Sequence, residues 1–497
     1  MAERSLSSSL MRGAVWLGAG RASESLIGLL STVILARLLA PEDFGVVALA
    51  VALTEIVSAF TTMHLSNALI QLKEEKIGHY HAAWTLALIR GLLIAIVISL
   101  CAIPYANAFN DPRLLPLTMA CAGILFVGSL ENPRLTHFSR QLIFWQTFAL
   151  TLVSRVAYLA IIIAVALIYK NYWAIIAGSL AATCARVIVS YALFPFLPRI
   201  SLKYAKDLLS FSIWLTFYQT VTALNNRIDQ ILVGSFLGQA KLGVYDMGVR
   251  LASIPTKQAT QPIIATLFPG FSKIHREKKD LPSYFSKSQA LLASIGLPAG
   301  IGFALLADRA VPWALGEKWI EAIPVVEFIT VIFAIRTIVS PASALAMSMG
   351  KTRLMFFNNL LVFLVRVPLM VAGVISFGLI GAVAGRVAAG LFSTFIDLRM
   401  AKHLAGLTIR AQLWAARRSI ASVMVMAAAV RALEIFMEWR GLEWSAFVMI
   451  VLIATIGAII YLGTHVLLWR LDGAPQGVET TVLTQLKKAP VLRAFLL

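Results

Sequence analysis

The chain has 497 residues, 59% hydrophobic and only 13% charged, with a mean hydropathy of +0.82. Soluble domains carry about one quarter charged residues, so this composition excludes a water-soluble globular protein and indicates an integral membrane protein. The net charge of +19 would suit a nucleic-acid partner, but its distribution along the chain assigns it to membrane topology, and no nucleic acid is expected.

In chain order, fourteen hydrophobic runs of spanning length, about 20 residues, are predicted. The first six cover 13–39, 44–69, 82–108, 114–131, 142–169 and 172–196. The next six cover 208–236, 241–268, 287–307, 320–347, 354–377 and 379–399, and the last two 413–436 and 444–469. The first run holds Arg21 and Glu24 and is read as a retained helix rather than a cleaved signal. No strand pattern competes, and no loop is long enough to fold as a soluble domain. The predicted fold is an all-α integral membrane protein of about fourteen transmembrane helices.

Lys and Arg in alternate loops divide 25 to 7. The richer side includes Arg4 and Arg12, the run Lys273 to Lys279, and Arg417, Arg418 and Arg470. The positive-inside rule then places both termini in the cytoplasm. Cys101, Cys121 and Cys184 lie in apolar runs at no metal-ligand spacing. No metal and no cofactor is called for.

An internal repeat is visible. Leu39-Ala-Pro-Glu-Asp-Phe-Gly-Val46 matches Leu237-Gly-Gln-Ala-Lys-Leu-Gly-Val244, one after span 1 and the other after span 7. Arg155-Val156 in span 5 echoes Arg366-Val367 in span 11. Repeats six spans apart share an orientation and are related by an axis along the membrane normal. This predicts a six-helix bundle over 1–200, a second over 201–405, appended helices over 406–470 and a cytoplasmic tail over 471–497. Spans 1, 2, 7 and 8 are expected to line a cleft between the bundles.

Polar residues recur on single faces of these spans. Tyr218, Thr222, Asn225 and Asp229 share a face of span 7, and Asp246, Arg250, Ser253, Lys257 and Gln261 a face of span 8. Glu55, Ser58, Thr62 and Ser66 form a stripe on span 2. Charges at bilayer depth are costly and normally face a bundle interior or a wet cavity. Basic groups predominate: Arg21, Arg155, Arg250, Lys257, Arg336 and Arg366 are candidate contacts for an anion, with Asn225 beside them. Arginine suits phosphate because its planar fork bonds two oxygens at once. Glu24, Glu55, Asp229 and Asp246 are candidates for coupling or gating, and Pro255 is expected to kink span 8. Structural readings stand beside these: an Asp246–Arg250 pair, an Arg21–Glu24 pair, anchoring of helix ends by Arg155, Arg336 and Arg366, and snorkelling of Arg90 and Arg186. Arg227 points away from the Asn225 and Asp229 face and is expected either against a neighbouring helix or near the outer surface.

Ile34-Leu-Ala-Arg-Leu-Leu-Ala-Pro-Glu-Asp-Phe-Gly45 resembles the first hairpin of the Wzx-type polysaccharide flippases. Asn226-Arg-Ile-Asp229, Val233-Gly234, Leu237-Gly238 and Leu242-Gly-Val-Tyr245 resemble the seventh and eighth helices of that family. The family shares a superfamily with MATE exporters and the lipid II flippase, and the exopolysaccharide and colanic-acid group is nearest in pattern. The resemblance implies a flippase for polyprenyl-diphosphate-linked oligosaccharides, working by alternating access in the bacterial inner membrane. It also implies arginines on helices 1 and 8, which Arg21 and Arg250 match, and a polysaccharide polymerase and export machinery as partners. A MATE-like drug or cation antiporter would favour an acidic interior. A membrane polymerase or ligase would need catalytic groups that the short loops and seven histidines do not assemble.

Overall fold

The computed structural model describes residues 2–61, 65–71, 76–141, 143, 145–208, 213–277, 280–440 and 445–474. The described residues form helices without strands. In the N-terminal half these are α1 (Ala2–Leu38), α2 (Pro41–Phe60), α3 (Leu65–Gln71), α4 (Ile77–Ala108), α5 (Leu114–Gly128), α6 (Thr136–Arg140), α7 (Trp145–Tyr169), α8 (Trp173–Leu193) and α9 (Ala205–Leu208). There follow α10 (Ile213–Arg276), α11 (Leu281–Leu305), α12 (Ala307–Leu315), α13 (Ile323–Thr337), α14 (Pro341–Ser348), α15 (Thr352–Ala405), α16 (Ile409–Ala415), α17 (Arg417–Trp439) and α18 (Ala446–Leu471). Trp444 and nearly all of the expected tail lie outside the described residues.

Among the described residues nine helices are long and apolar enough to cross a membrane, or ten if the bent pair around Ser340 crosses as one. The expected fourteen therefore remains a reading of the hydropathy pattern. Two features lower the number. The 15 residues of α5 reach about 22 Å at 1.5 Å per residue, short of a hydrocarbon core of roughly 30 Å. The other is that α15, two helical limbs joined at a glycine, counts once, while α10, also two limbs, has no stretch apolar enough to count.

Gly238 (φ 79°) joins the limbs of α10, and Phe377 with Gly378 (φ 57°) those of α15. Only glycine takes such dihedrals without cost. The chain doubles back at both points. Tyr245 donates its hydroxyl hydrogen to Asp229 at 3.1 Å across the first turn. At the second, Gly373 and Gly381 are so close that a Cβ on either would meet the other's carbonyl oxygen at about 2 Å (2.1 and 1.8 Å). Gly385 packs on Leu369 in the same hairpin, while Gly296 and Gly300 lie against Thr337 and Ala334. Both Gly-x-x-x-Gly pairs are thus helix contacts. The break in α10 is at Gly238, whereas Pro255 sits within helical dihedrals.

The chain divides into two compact units, Met1–Asp246 and Met247–Leu497. The division falls inside the second limb of α10 because the start of that limb is fastened to unit 1. A Cβ on Gly45 would meet the Gln239 carbonyl oxygen at 1.8 Å, and one on Gly243 would meet the Pro41 carbonyl oxygen at 1.7 Å. In the internal repeat Gly45 corresponds to Gly243 and Pro41 to Gln239. The two repeated turns therefore pack on each other reciprocally, each glycine against the other's turn.

In unit 2, α11, α13, α17 and α18 enclose a core of Ala293, Leu297, Ala334, Met426, Val430 and Ile453. Replacing Gly45 or Gly243 with Val should cost more than the roughly 1–3 kcal/mol of ordinary overpacking, because backbone rather than a flexible side chain blocks the space. Thermal unfolding in detergent should show a large drop for both variants. Gly463→Ala, where a Cβ meets nothing within 4 Å, should leave the transition in place.

Candidate functional site

In unit 1 the charged residues of α1, α2, α7 and the first limb of α10 form specific pairs. Arg155 on α7 donates to Glu24 on α1. The reading in which Glu24 pairs with Arg21 one turn away is corrected: α1 packs against α7, which brings in a guanidinium from elsewhere in the chain. Arg21 is exposed.

A longer chain of contacts begins on α2. Arg227 donates through Nε to Oε2 of Glu55 at 2.6 Å and through Nη2 to its other oxygen. Its Nη1 donates to Gln230 at 3.1 Å, and Gln230 Nε2 donates to Asp246 at 2.5 Å. Glu55, Arg227, Gln230 and Asp246 thus link α2 to both limbs of α10. Arg227 lies against a neighbouring helix, one of the two places that its angular position allows. Asn225 and Asp229 are buried in unit 1, 5% and 1% exposed. Gln230, a neutral residue without a charge signal, is the member that sequence reasoning missed.

In unit 2, Arg250 and Lys257 are exposed on the second limb of α10, with Pro255 half-buried between them. Arg336 on α13 and Arg366 on α15 line one small cavity together with Arg386. Gly390 permits this approach, since a Cβ there would meet Ile332 of α13 at 2.4 Å. Arg366 is buried, 8% exposed. Asp397 lies 4.0 Å from Arg336. Three guanidinium groups thus line one cavity. Arg386 is not among the candidate contacts read from the sequence. The hairpin at Gly378 places it opposite Arg366.

Other charges have structural work. Arg90 donates to the Thr61 and Ser58 carbonyls at 2.7 and 3.2 Å, closing the end of α2. Arg186 bonds Glu131 at 2.9 Å, and Arg309 and Arg431 converge on the buried Glu434. The Pro41-Glu-Asp-Phe-Gly45 motif is a junction. Arg113 joins Asp111 and Glu42, and these hydrogen bonds, Asp111 foremost, push its pKa further above the ordinary arginine value. Asp43 accepts from the backbone N–H groups of Ala40 and Tyr172. Among the described residues no group of His, Cys, Asp and Glu is arranged to hold a metal ion.

Residues 34–324, more than half of the chain, match the family described as "Polysaccharide biosynthesis protein". The chain belongs to this family. The matched stretch opens just before the first turn motif and runs through the second, so it contains Glu55, Asn225, Arg227, Asp229, Asp246, Arg250 and Lys257. Arg21, Glu24, Arg336, Arg366 and Arg386 lie outside it. Among its relatives is the lipopolysaccharide biosynthesis protein WzxC of Escherichia coli (strain K12), 23% identical over 403 residues that cover 79% of this chain and 81% of that protein. The fold is that of the lipid II flippase MurJ in its inward closed conformation, with a TM-score of 0.74 at 14% identity, covering 92% of this chain and 99% of the other. A MATE-family multidrug transporter in an inward-facing conformation matches less well, with a TM-score of 0.56 at 15% identity over 76% of this chain and 94% of its own. The protein is a multi-pass membrane protein with a transporter fold.

The Glu55–Arg227 pair is partly exposed (48% and 23% for the side chains), so its coupling should not exceed about 1 kcal/mol. Glu55→Gln and Arg227→Gln should each lower the thermal midpoint of the purified protein. The exchanged pair Glu55→Arg with Arg227→Glu should recover most of that loss in a double-mutant cycle.

Proposed function

We propose that the protein is a flippase that carries polyprenyl-diphosphate-linked oligosaccharide repeat units across the inner membrane for exopolysaccharide or lipopolysaccharide synthesis. Membership of the polysaccharide biosynthesis family supports the biosynthetic setting, and the flippase-like fold supports transport rather than catalysis. The observation that carries the anionic substrate class is the meeting of Arg336, Arg366 and Arg386 around one small cavity in unit 2. A charge at the centre of a span costs about 2.5–3.5 kcal/mol on insertion scales. The gathering of three such groups of one sign around one cavity supports an anion that passes them.

In this reading Arg21, Arg250, Lys257, Arg155, Arg336 and Arg366 contact the diphosphate or acidic sugars along a cationic path, with Asn225 contributing hydrogen bonds. Glu24, Glu55, Asp229 and Asp246 take part in coupling or gating. The pairs Arg155–Glu24 and Arg227–Glu55 favour exchange of partners: a passing phosphate competes with each carboxylate for its arginine. The lipid tail stays in the bilayer while the sugars cross by alternating access. Both termini are cytoplasmic, and a polysaccharide polymerase and the export machinery receive the product.

Depletion should trap lipid-linked repeats in the inner leaflet, detected as oligosaccharide inaccessible to periplasmic enzymes in spheroplasts. Export at the normal rate without the protein or a substitute would defeat the proposal. Arg250→Glu should abolish polymer output while the protein still inserts at wild-type levels, and Arg366→Gln should reduce output at least tenfold. The competing reading is a drug or cation antiporter of the related MATE fold. Hypersensitivity of a deletion strain to cationic drugs with unchanged polysaccharide would favour it.

A further inference from the structure

We infer that the surface groove where α16 meets α17 is a binding site for an anionic phospholipid of the surrounding bilayer, separate from the transport path. The groove has a volume of about 440 Å³ and is lined by Arg410, Leu413, Trp414, Arg417, Ile420 and Met424, among others. That volume lies within the roughly 300–1,000 Å³ of small-ligand sites. Its walls are apolar and face outward: Leu413 is 43%, Trp414 60% and Met424 61% exposed. In a membrane protein such a face meets lipid.

The groove is held open from behind. Gly406, at φ 71°, ends α15, and Thr408 caps α16 by accepting from the N–H of Ala411 at 3.2 Å. Gln412 is completely buried and donates to the carbonyls of Leu398 and Leu407 at 3.0 Å each. It also receives a bond from Gln289 at 3.4 Å. With Gln412 fastening the inner face of this short helix, Arg410, Leu413 and Trp414 are turned to the outside.

Charge selects the ligand. Arg417 donates to Asp472 at 2.6 Å, and Arg418 lies 3.6 Å from the same carboxylate. The Arg417 guanidinium also sits 4.5 Å from the Trp414 ring centre and donates to the Trp414 carbonyl at 3.2 Å. Arg417 and Arg418 thus share the Asp472 carboxylate, and Arg410 lines the same groove as Arg417. Arg417 is already oriented by Asp472 and Trp414, so binding orders little more than Arg410. A lipid phosphate between Arg410 and Arg417 would complete the charge balance. An acyl chain would then lie along Leu413, Ile420 and Met424. Tryptophan beside arginine fits the headgroup level of a bilayer, and basic pockets between membrane helices on the cytoplasmic side bind anionic headgroups.

The test uses the full-length protein in detergent, titrated with phosphatidylglycerol or phosphatidylcholine and followed by thermal unfolding and native mass spectrometry. Phosphatidylglycerol should bind at least tenfold more tightly and raise the midpoint by several degrees. Arg410→Gln, which leaves the Arg417–Asp472 pair intact, should reduce that preference about tenfold. Met424→Trp, which fills the groove and leaves every charge, should weaken phosphatidylglycerol binding to a similar extent. Equal binding of the two lipids would overturn the proposal. So would a preference unchanged in both variants, the same stabilisation by inorganic phosphate alone, or a protein dimer that Arg410→Gln dissolves.

Discussion

The governing constraint is the absence of water in the hydrocarbon core, where a charge without a partner is costly and an unsatisfied backbone group is hardly tolerated. It explains why separation along the sequence matters less than which helix lies next to which. Arg155 finds Glu24, Arg227 finds Glu55, and Arg309 finds Glu434, each on another helix. The same constraint makes the arginines of unit 2 informative, because Arg336, Arg366 and Arg386 gather around one small cavity. Paired charges hold helices together, and a surplus invites an anion.

Glycine sets the geometry within which those charges meet. At Gly238 and Gly378 it supplies dihedrals that fold a helix back on itself. At Gly45 and Gly243 it supplies room for two backbones to touch. The second use is the more demanding, because any side chain would collide with a carbonyl oxygen rather than with a movable group. The reciprocal packing of the two repeated turns gives the internal repeat a physical meaning. A duplicated segment whose copies meet must be complementary to itself, which is the condition of an isologous contact.

The site was partly legible in advance. Helical spacing set Arg227 apart from Asn225 and Asp229, and Arg227 indeed bonds Glu55 of α2 while the other two are buried. It did not show that Gln230 bridges Arg227 to Asp246, because a neutral amide in a span carries no energetic signal of its own. Nor did it show that Glu24 belongs to Arg155. An i,i+3 neighbour such as Arg21 is the only partner that spacing can offer, and a helix four spans away can be nearer.

The sequence alone determined membrane residence, the helical fold, the turns after Leu39 and Leu237 and the repeat that relates them. These follow from composition, hydropathy and glycine placement, which act locally along the chain. Only the tertiary structure decided which charges pair, that Arg386 joins Arg336 and Arg366, and that Arg410 and Arg417 share one groove. Those facts depend on contacts between residues far apart in sequence, 131 positions for Glu24 and Arg155 and 172 for Glu55 and Arg227. Helix periodicity fixes the direction a side chain takes from its own axis, and packing alone supplies what stands opposite.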